Sequence, residues 1–323
     1  MNPHLYPRLL GDVGGTNARF AWQQAADRPI VDVASLPCAQ HASIEQAIRH
    51  YLSTHSREAP RAGAIGIANP VTGDRVQMTN HHWSFSISGL RQSLGLAHLV
   101  VINDFTALAL ALPALPLSGL RQIGGGQAMA RSPLAVLGPG TGLGVSGLLA
   151  SGDAGWIPIS GEGGHVTLAA ADERDAAVID ILRRRFGHVS AERALSGPGL
   201  VNLRLACREL AGQPADERTP AQVLASARDG SDADSAAALD LFCGFLGGVA
   251  GNLALTLGAQ GGVFLGGGIV PRMADELAAS VFRERFESKG RFSGYLAAIP
   301  TFLIATDDSP ALIGAGRALD ETR

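Results

Sequence analysis

The chain has 323 residues, 46% of them hydrophobic, with a formal net charge of −3 and a pI near 6.3. That length buries a sizeable core and favours about two domains, while the near-neutral balance excludes the basic field that gathers nucleic acid or an anionic membrane. Cys38, Cys207 and Cys243 are few, odd in number and scattered, which fits a reducing cytoplasm and supplies neither a disulfide framework nor zinc spacing.

The opening MNPHLYPRLL carries two prolines and no long apolar run, so it does not read as a secretory signal. Period-two apolar patterning predicts strands at 8–13, 18–23 and 30–37, the first two joined by a glycine turn, and a helix follows across 43–55. The apolar strand AGAIGIANP (62–70) leads into a polar hairpin through Gly73 and Asp74, then a short helix after Ser86. HLVVIND (98–104) reads as a strand and FTALALALP (105–113) as a helix stopped by proline. LAVLGPGTGLGVSGLLA (134–150) then repeats the strand, glycine turn, strand plan of the opening, which suggests two lobes of related design. The stretch 172–258 is mostly helical in period, followed by strands VFLGGG and TFLIA (301–305) and a last helix from Ser309.

From Leu241 to Pro271 there is no charged residue, and Gly244/Gly248 and Gly247/Gly251 form the GxxxG spacing of membrane helices. Asn252, Thr256 and Gln260 interrupt that run and Gly258 to Gly262 breaks it, so the expectation is a close-packed core helix followed by a buried strand.

Three glycine-rich turns follow apolar strands: GDVGGTN (11–17), GPGTGLG (138–144) and LGGGI (265–269). None has the P-loop or dinucleotide-fold spacing, and with Lys289 the only lysine, a P-loop or protein-kinase lysine is excluded. Each turn alone is explained by an ordinary hairpin. Together they read as phosphate cradles, with backbone N–H groups and the hydroxyls of Thr16 and Thr141 as donors. Asp12, ending a strand beside the first turn, suits a hydrated Mg²⁺ bound with phosphates. Two hairpins facing each other across a cleft, with the third turn placed for a nucleoside, would clamp ATP.

GDVGGTNAR, INDFTALALA, GPGTGLGV, GEGGHV and GHVSAERALSGPGLVNL resemble the bacterial glucokinases, and the likeness runs in order from Leu10 to about Gly316. The resemblance implies an α/β, two-lobed actin-like or hexokinase-like ATPase fold of ribonuclease H-like type. It implies a small α/β domain at 1–114 plus 305–323, a larger α+β domain at 115–304, and a cleft between them. The repressor–kinase sugar kinases are not resembled, since their Cys/His zinc motif is absent. The family's reaction is transfer of the ATP γ-phosphoryl to the 6-hydroxyl of D-glucose, the first step of glycolysis, by a cytoplasmic homodimer that binds neither nucleic acid nor membrane.

Carried over residue by residue, ATP would meet Gly11, Asp12, Val13, Gly14, Gly15, Thr16, Asn17, Gly140, Thr141, Gly142, Gly267 and Gly268, with Mg²⁺ on Asp12 through water. Asn103 and Asp104 would hold the sugar, Asp104 taking the 6-hydroxyl proton and Asn103 bonding the 4-hydroxyl side. The position of Asp104 also suits a plain helix N-cap. Glu162, His165 and Glu192 would bind the anomeric end of glucose. Glu192 could instead form a surface ion pair with Arg193, and His81 and His82 read as loop structure rather than a metal site. Asn69 and Asn80 are weaker candidates for the cleft lining. A sugar-sensing regulator without turnover would want a basic helix-turn-helix extension, and a cytoskeletal ATPase would need no sugar pocket.

Overall fold

The computed structural model describes residues 3–152, 155–306 and 309–321. The first two residues of the opening segment and the last two of the expected small domain lie outside them. The chain divides into two compact units, Met1–Leu117 with Leu148–Ser160 and Thr306–Arg323, and Ser118–Gly147 with Gly161–Ala305.

In the first unit the elements in order are β1 (Arg8–Val13), β2 (Asn17–Gln23), β3 (Val31–Pro37), α1 (Ile44–Thr54), β4 (Ala62–Ile67), β5 (Arg75–Gln77), β6 (Ser84–Ser86), α2 (Ile87–Ser93), β7 (His98–Asn103) and α3 (Asp104–Ala111). Five strands form a sheet of order β3-β2-β1-β4-β7. Strands β1, β4 and β7 run parallel, while β2 returns antiparallel from the first glycine turn. One face packs Leu9, Phe20, Tyr51, Ile65 and Trp83 into a core with α1 and α2, because the alternate residues of these strands are large and apolar.

The remaining elements are β8 (Leu120–Ile123), β9 (Leu134–Pro139), β10 (Leu143–Ser151), β11 (Gly155–Ser160), α4 (Glu173–Phe186), α5 (Gly197–Leu210), α6 (Pro220–Arg228), α7 (Ala233–Leu257), β12 (Val263–Leu265), α8 (Ala274–Ala279), α9 (Phe282–Glu287), α10 (Ser293–Ala297), β13 (Thr301–Ile304) and α11 (Pro310–Glu321). Helix α11 belongs to the first unit and covers the other face of its sheet through Leu312, Ala315 and Leu319. It is pinned there by the buried Arg8, which donates to Asp320 Oδ1 at 2.5 Å and to the Gly316 carbonyl at 3.2 Å.

The second sheet has the order β11-β10-β9-β12-β13-β8, with β9, β12 and β13 parallel. Strand for strand this repeats the first sheet with β8 added at one edge, so the expected internal echo is a duplication of topology. Sheet pairing keeps β11 beside β10, whereas packing density groups 148–160 with the first unit, a segment the sequence expectation placed in the larger domain.

Helix α7 is long and apolar enough to cross a membrane by length and composition. It lies in the core of the second unit, where Phe242, Leu246, Ala250 and Ala254 are fully buried. Its glycine spacing lets α9 approach: a Cβ on Gly251 would stand 2.5 Å from the Phe286 carbonyl oxygen, and one on Gly247 would collide with that of Phe282. The expected core helix is what forms, for the close-contact reason given by its sequence.

Candidate active site

In the first unit the parallel strands end side by side. Asp12, Gly66 and Ile102 are in register, as are Val13, Ile67 and Asn103 one residue on. Asn103 therefore ends β7 and Asp104 begins α3 at the carboxyl edge of the sheet, where open α/β sheets collect ligand chemistry. The N-cap alternative for Asp104 is corrected by the backbone. Asn103 is the cap, with extended φ/ψ and an Oδ1 that accepts from the amides of Phe105 (2.9 Å) and Thr106 (3.2 Å). Its amide nitrogen is the group left for a ligand. Asp104 is the first helical residue, half-buried, and accepts from the Phe105 amide at 2.9 Å. A carboxylate there is favoured by the helix dipole.

Asp12 faces its cross-strand neighbour Arg19, whose Nη1 lies 3.3 Å from Asp12 Oδ2 and 3.0 Å from Ser309 Oγ. Burial pushes the Asp12 carboxyl above its ordinary value, and Arg19 opposes that shift. Beyond it the hairpin closes through Gly14 N donating to Asn17 O at 2.9 Å. The amides of Gly15 and Thr16 donate to no backbone acceptor among the described residues, so the tip presents free donors. Gly15 must lack a side chain because a Cβ would stand 2.9 Å from that of Asn80. Gly11 and Val13 differ from the tip: both are buried in β1, Gly11 between Ile65 and the Phe20 ring. The GDVGGTN run is thus part core strand and part exposed turn, a division that composition does not reveal.

In the second unit the other two glycine turns meet. Gly140 N donates to Gly142 O at 2.8 Å, and Gly140 O accepts from Gly197 N, at the start of α5, at 2.8 Å. The 265–269 turn docks on the same hairpin: Gly266 N donates to Leu137 O at 2.9 Å and Ile269 N to Pro139 O at 3.2 Å. Gly267 has φ +83° and faces the Pro139 carbonyl so closely that a Cβ would collide with it. Thr141, Gly267 and Gly268 are exposed.

Glu192 joins this hairpin. Its Oε2 accepts from the Leu143 amide at 2.9 Å, and a Cβ on Gly142 would strike that same oxygen. The ion-pair alternative with Arg193 does not form, since that guanidinium lies 4.3 Å above the Phe186 ring. Glu162 and His165 are exposed at the two ends of a 3-10 turn, closed by His165 N donating to Glu162 O at 3.0 Å. Gly163 packs on Val145 and Gly164 on the Leu143 carbonyl, and Val166 O accepts from Ala191 N at 2.9 Å. Leu143 is therefore the point where the glycine hairpin, Glu192 and the Glu162–His165 turn converge.

Asn69 is bonded within the fold, accepting from Thr79 N and Oγ1 at 3.0 and 2.7 Å and donating to Pro70 O at 2.9 Å. The His81 ring lies tilted beside that of His82 and edge-on to Trp83, and no group of three or more metal-ligating side chains occurs among the described residues. The sequence reading missed Arg19 as the partner of Asp12 and the Gly197 amide at Gly140. Strand alternation across the first hairpin carried a signal for Arg19; none was available for Gly197.

A glucokinase family model matches residues 9–322. Among curated relatives, the glucokinase of Aromatoleum aromaticum is 57% identical across 98% of this chain and 95% of its own length, and that of Chromobacterium violaceum is 51% identical across 98% and 90%. Among solved structures, a glucokinase from an Antarctic psychrotroph superposes with a TM-score of 0.89 at 40% identity, covering 98% of this chain and 99% of that one. A Balamuthia mandrillaris glucokinase in complex with glucose, at 21% identity, TM-score 0.73 and coverage of 96% and 92%, shares the fold. So does a repressor–kinase-family glucokinase from Streptomyces griseus, solved with glucose and AMPPNP, at 17% identity, TM-score 0.63 and coverage of 97% and 98%. On the full-length match and the high identities together, the chain belongs to the glucokinase family.

Proposed function

We propose that this chain transfers the γ-phosphoryl group of ATP to the 6-hydroxyl of D-glucose, giving glucose 6-phosphate and ADP. The observation that carries this reading is Asp104, a carboxylate that begins α3 at the carboxyl end of parallel β-strands, in a chain 57% identical to a glucokinase over 98% of its length. Asp104 accepts the proton of the 6-hydroxyl as that oxygen forms its bond to the γ-phosphorus. The bond from that phosphorus to the β–γ bridging oxygen breaks, and ADP leaves with the electron pair. Asn103 offers its amide N–H to the sugar, and Glu162, His165 and Glu192 bind the hydroxyls of the anomeric end. The hairpin tips at Gly14–Asn17 and Gly140–Gly142, with Gly267 and Gly268, hold the nucleotide phosphates through backbone amides; Gly11 and Val13 support the first tip from within β1.

A resident Mg²⁺ fits the donor set. Asp12 is a carboxylate beside the first hairpin, no group of three or more ligating side chains occurs among the described residues, and a single carboxylate suits an ion whose remaining ligands are water and phosphate oxygens. When bound, the ion neutralises charge on the transferring phosphoryl group. We infer folding domains at 1–114 plus 305–323 and at 115–304, a homodimer, and a place in the cytoplasm at the entry to glycolysis. A coupled assay with ATP and a panel of hexoses tests the reading. Glucose-dependent ADP release is the expected result, and its absence removes the kinase assignment.

A further inference from the structure

The glycines of α7 are not equivalent. Gly247 and Gly251 admit the backbone of α9, but a Cβ on Gly248 would meet nothing within 4 Å. Glycine inside a helix is destabilising relative to alanine, and packing gives no reason for it at this position. The open space beside Gly248 is a cavity of about 350 Å³, lined by residues of the second unit alone. That volume falls in the range of small-molecule sites.

Its walls are apolar where Val145, Leu168, Phe245 and Leu253 meet. Lys289, the only lysine of the chain, also lines the cavity, and its Nζ donates to the Gly248 carbonyl at 3.1 Å. No carboxylate lies within ion-pair distance of it among the described residues. The other charged groups at the cavity are engaged: Arg285 pairs with Asp172 and, at 3.5 Å, with Asp175, whose carboxylate also accepts the Ala171 amide at 3.0 Å. Burial, aided by Arg285, pulls the Lys289 ammonium below its ordinary pKa. Lys289 is half-buried, its hydrogen bond goes to a backbone carbonyl, and no ion pair engages it among the described residues, so its ammonium is the charge at this cavity that an added anion would match.

We propose that this cavity binds a small amphipathic carboxylate, its hydrocarbon part against Phe245, Leu253 and Val145 and its carboxylate on Lys289. The chemistry demands both features, since an inorganic anion would leave the apolar walls wet and a neutral hydrocarbon would leave Lys289 without a counter-charge. Gly163 and Val166 form part of the wall, so an occupant sits behind the turn that carries Glu162 and His165.

Calorimetry of the full chain with sodium octanoate should show saturable binding, and the melting temperature should rise with the logarithm of free octanoate once it exceeds the dissociation constant. 1-Octanol, which has the same chain without the charge, should bind at least about tenfold more weakly, as should octanoate to Lys289→Met. Gly248→Leu grows into the open space and should abolish the heat of binding while the melting temperature, read on the same sample, is kept or raised. Absence of saturable heat at millimolar octanoate overturns the proposal. So does equal affinity in wild type and Lys289→Met, or undiminished binding in Gly248→Leu.

Discussion

The roles proposed for three carboxylates, Asp12, Asp104 and Glu162, and for the His165 imidazole are separated by single substitutions. Asp104→Asn keeps the size of the side chain but cannot accept the 6-hydroxyl proton. Because Asn103 supplies the cap, stability should stay near wild type, glucose should still bind by calorimetry, and kcat should fall by roughly 10²–10⁴. Near-normal turnover would end the assignment of Asp104 as base. Glu162→Gln and His165→Ala remove groups held out into solvent on the 3-10 turn, so folding should be unaffected. Each should raise the KM for glucose by an amount equivalent to about 1–3 kcal/mol of lost hydrogen bonding. An unchanged KM in both would make the turn purely structural. Asp12→Ala should weaken Mg-ATP use with glucose affinity nearly intact; reduced glucose affinity at unaltered metal dependence would show that Asp12 has been misplaced. Arg19 is left without its ion-pair partner by that change but still donates to Ser309, which limits the structural damage.

At the scale of elements, α7 offers an internal contrast between adjacent glycines. On Gly247 a Cβ would collide with the Phe282 carbonyl and stand 3.0 Å from Arg285 Cβ, whereas on Gly248 it meets open space. Gly247→Ala should therefore destabilise by about 1–3 kcal/mol through forced separation of α7 and α9. Gly248→Ala should stabilise by about 0.5–1 kcal/mol through lower chain entropy in the unfolded state. Urea unfolding of the two variants reads the opposite signs directly, and matching signs would refute the packing account of this helix pair. The GxxxG spacing announced close approach in the sequence, but which of its glycines face a neighbour depends on where α9 lies. That placement is set by residues some thirty positions away.

For the whole molecule, positive charge is carried almost entirely by arginine, and one cluster ties separate segments of the second unit together. The buried Arg204 donates to Asp216 at 2.5 and 3.0 Å and to Asp232 at 2.7 Å. The Arg204 hydrogen bond holds Asp216 down at about 2, well below its ordinary 3.8. Burial alone would raise Asp232, but bonds from Ser235 and Arg204 bring it below its usual value. A carboxylate depressed in the folded state stabilises fully above its unfolded pKa and loses that contribution as pH falls through the folded one. The stability advantage of wild type over Asp216→Asn should thus be complete above about pH 4 and shrink toward pH 2; a pH-independent difference in melting temperature would contradict the pairing. Much of this protein was legible in one dimension. Strands, helices, the echo between the 8–23 and 134–150 segments and the glycine-rich motifs are local patterns, written in periodicity and glycine placement over a few residues. Tertiary structure alone decided that Asn103 rather than Asp104 caps α3, that Gly11 and Val13 are core, and that Glu192 bonds the Leu143 amide instead of Arg193. Those outcomes rest on which backbone donor or neighbouring side chain comes within about 3 Å, and contacts between positions far apart in the chain leave no periodic trace in it.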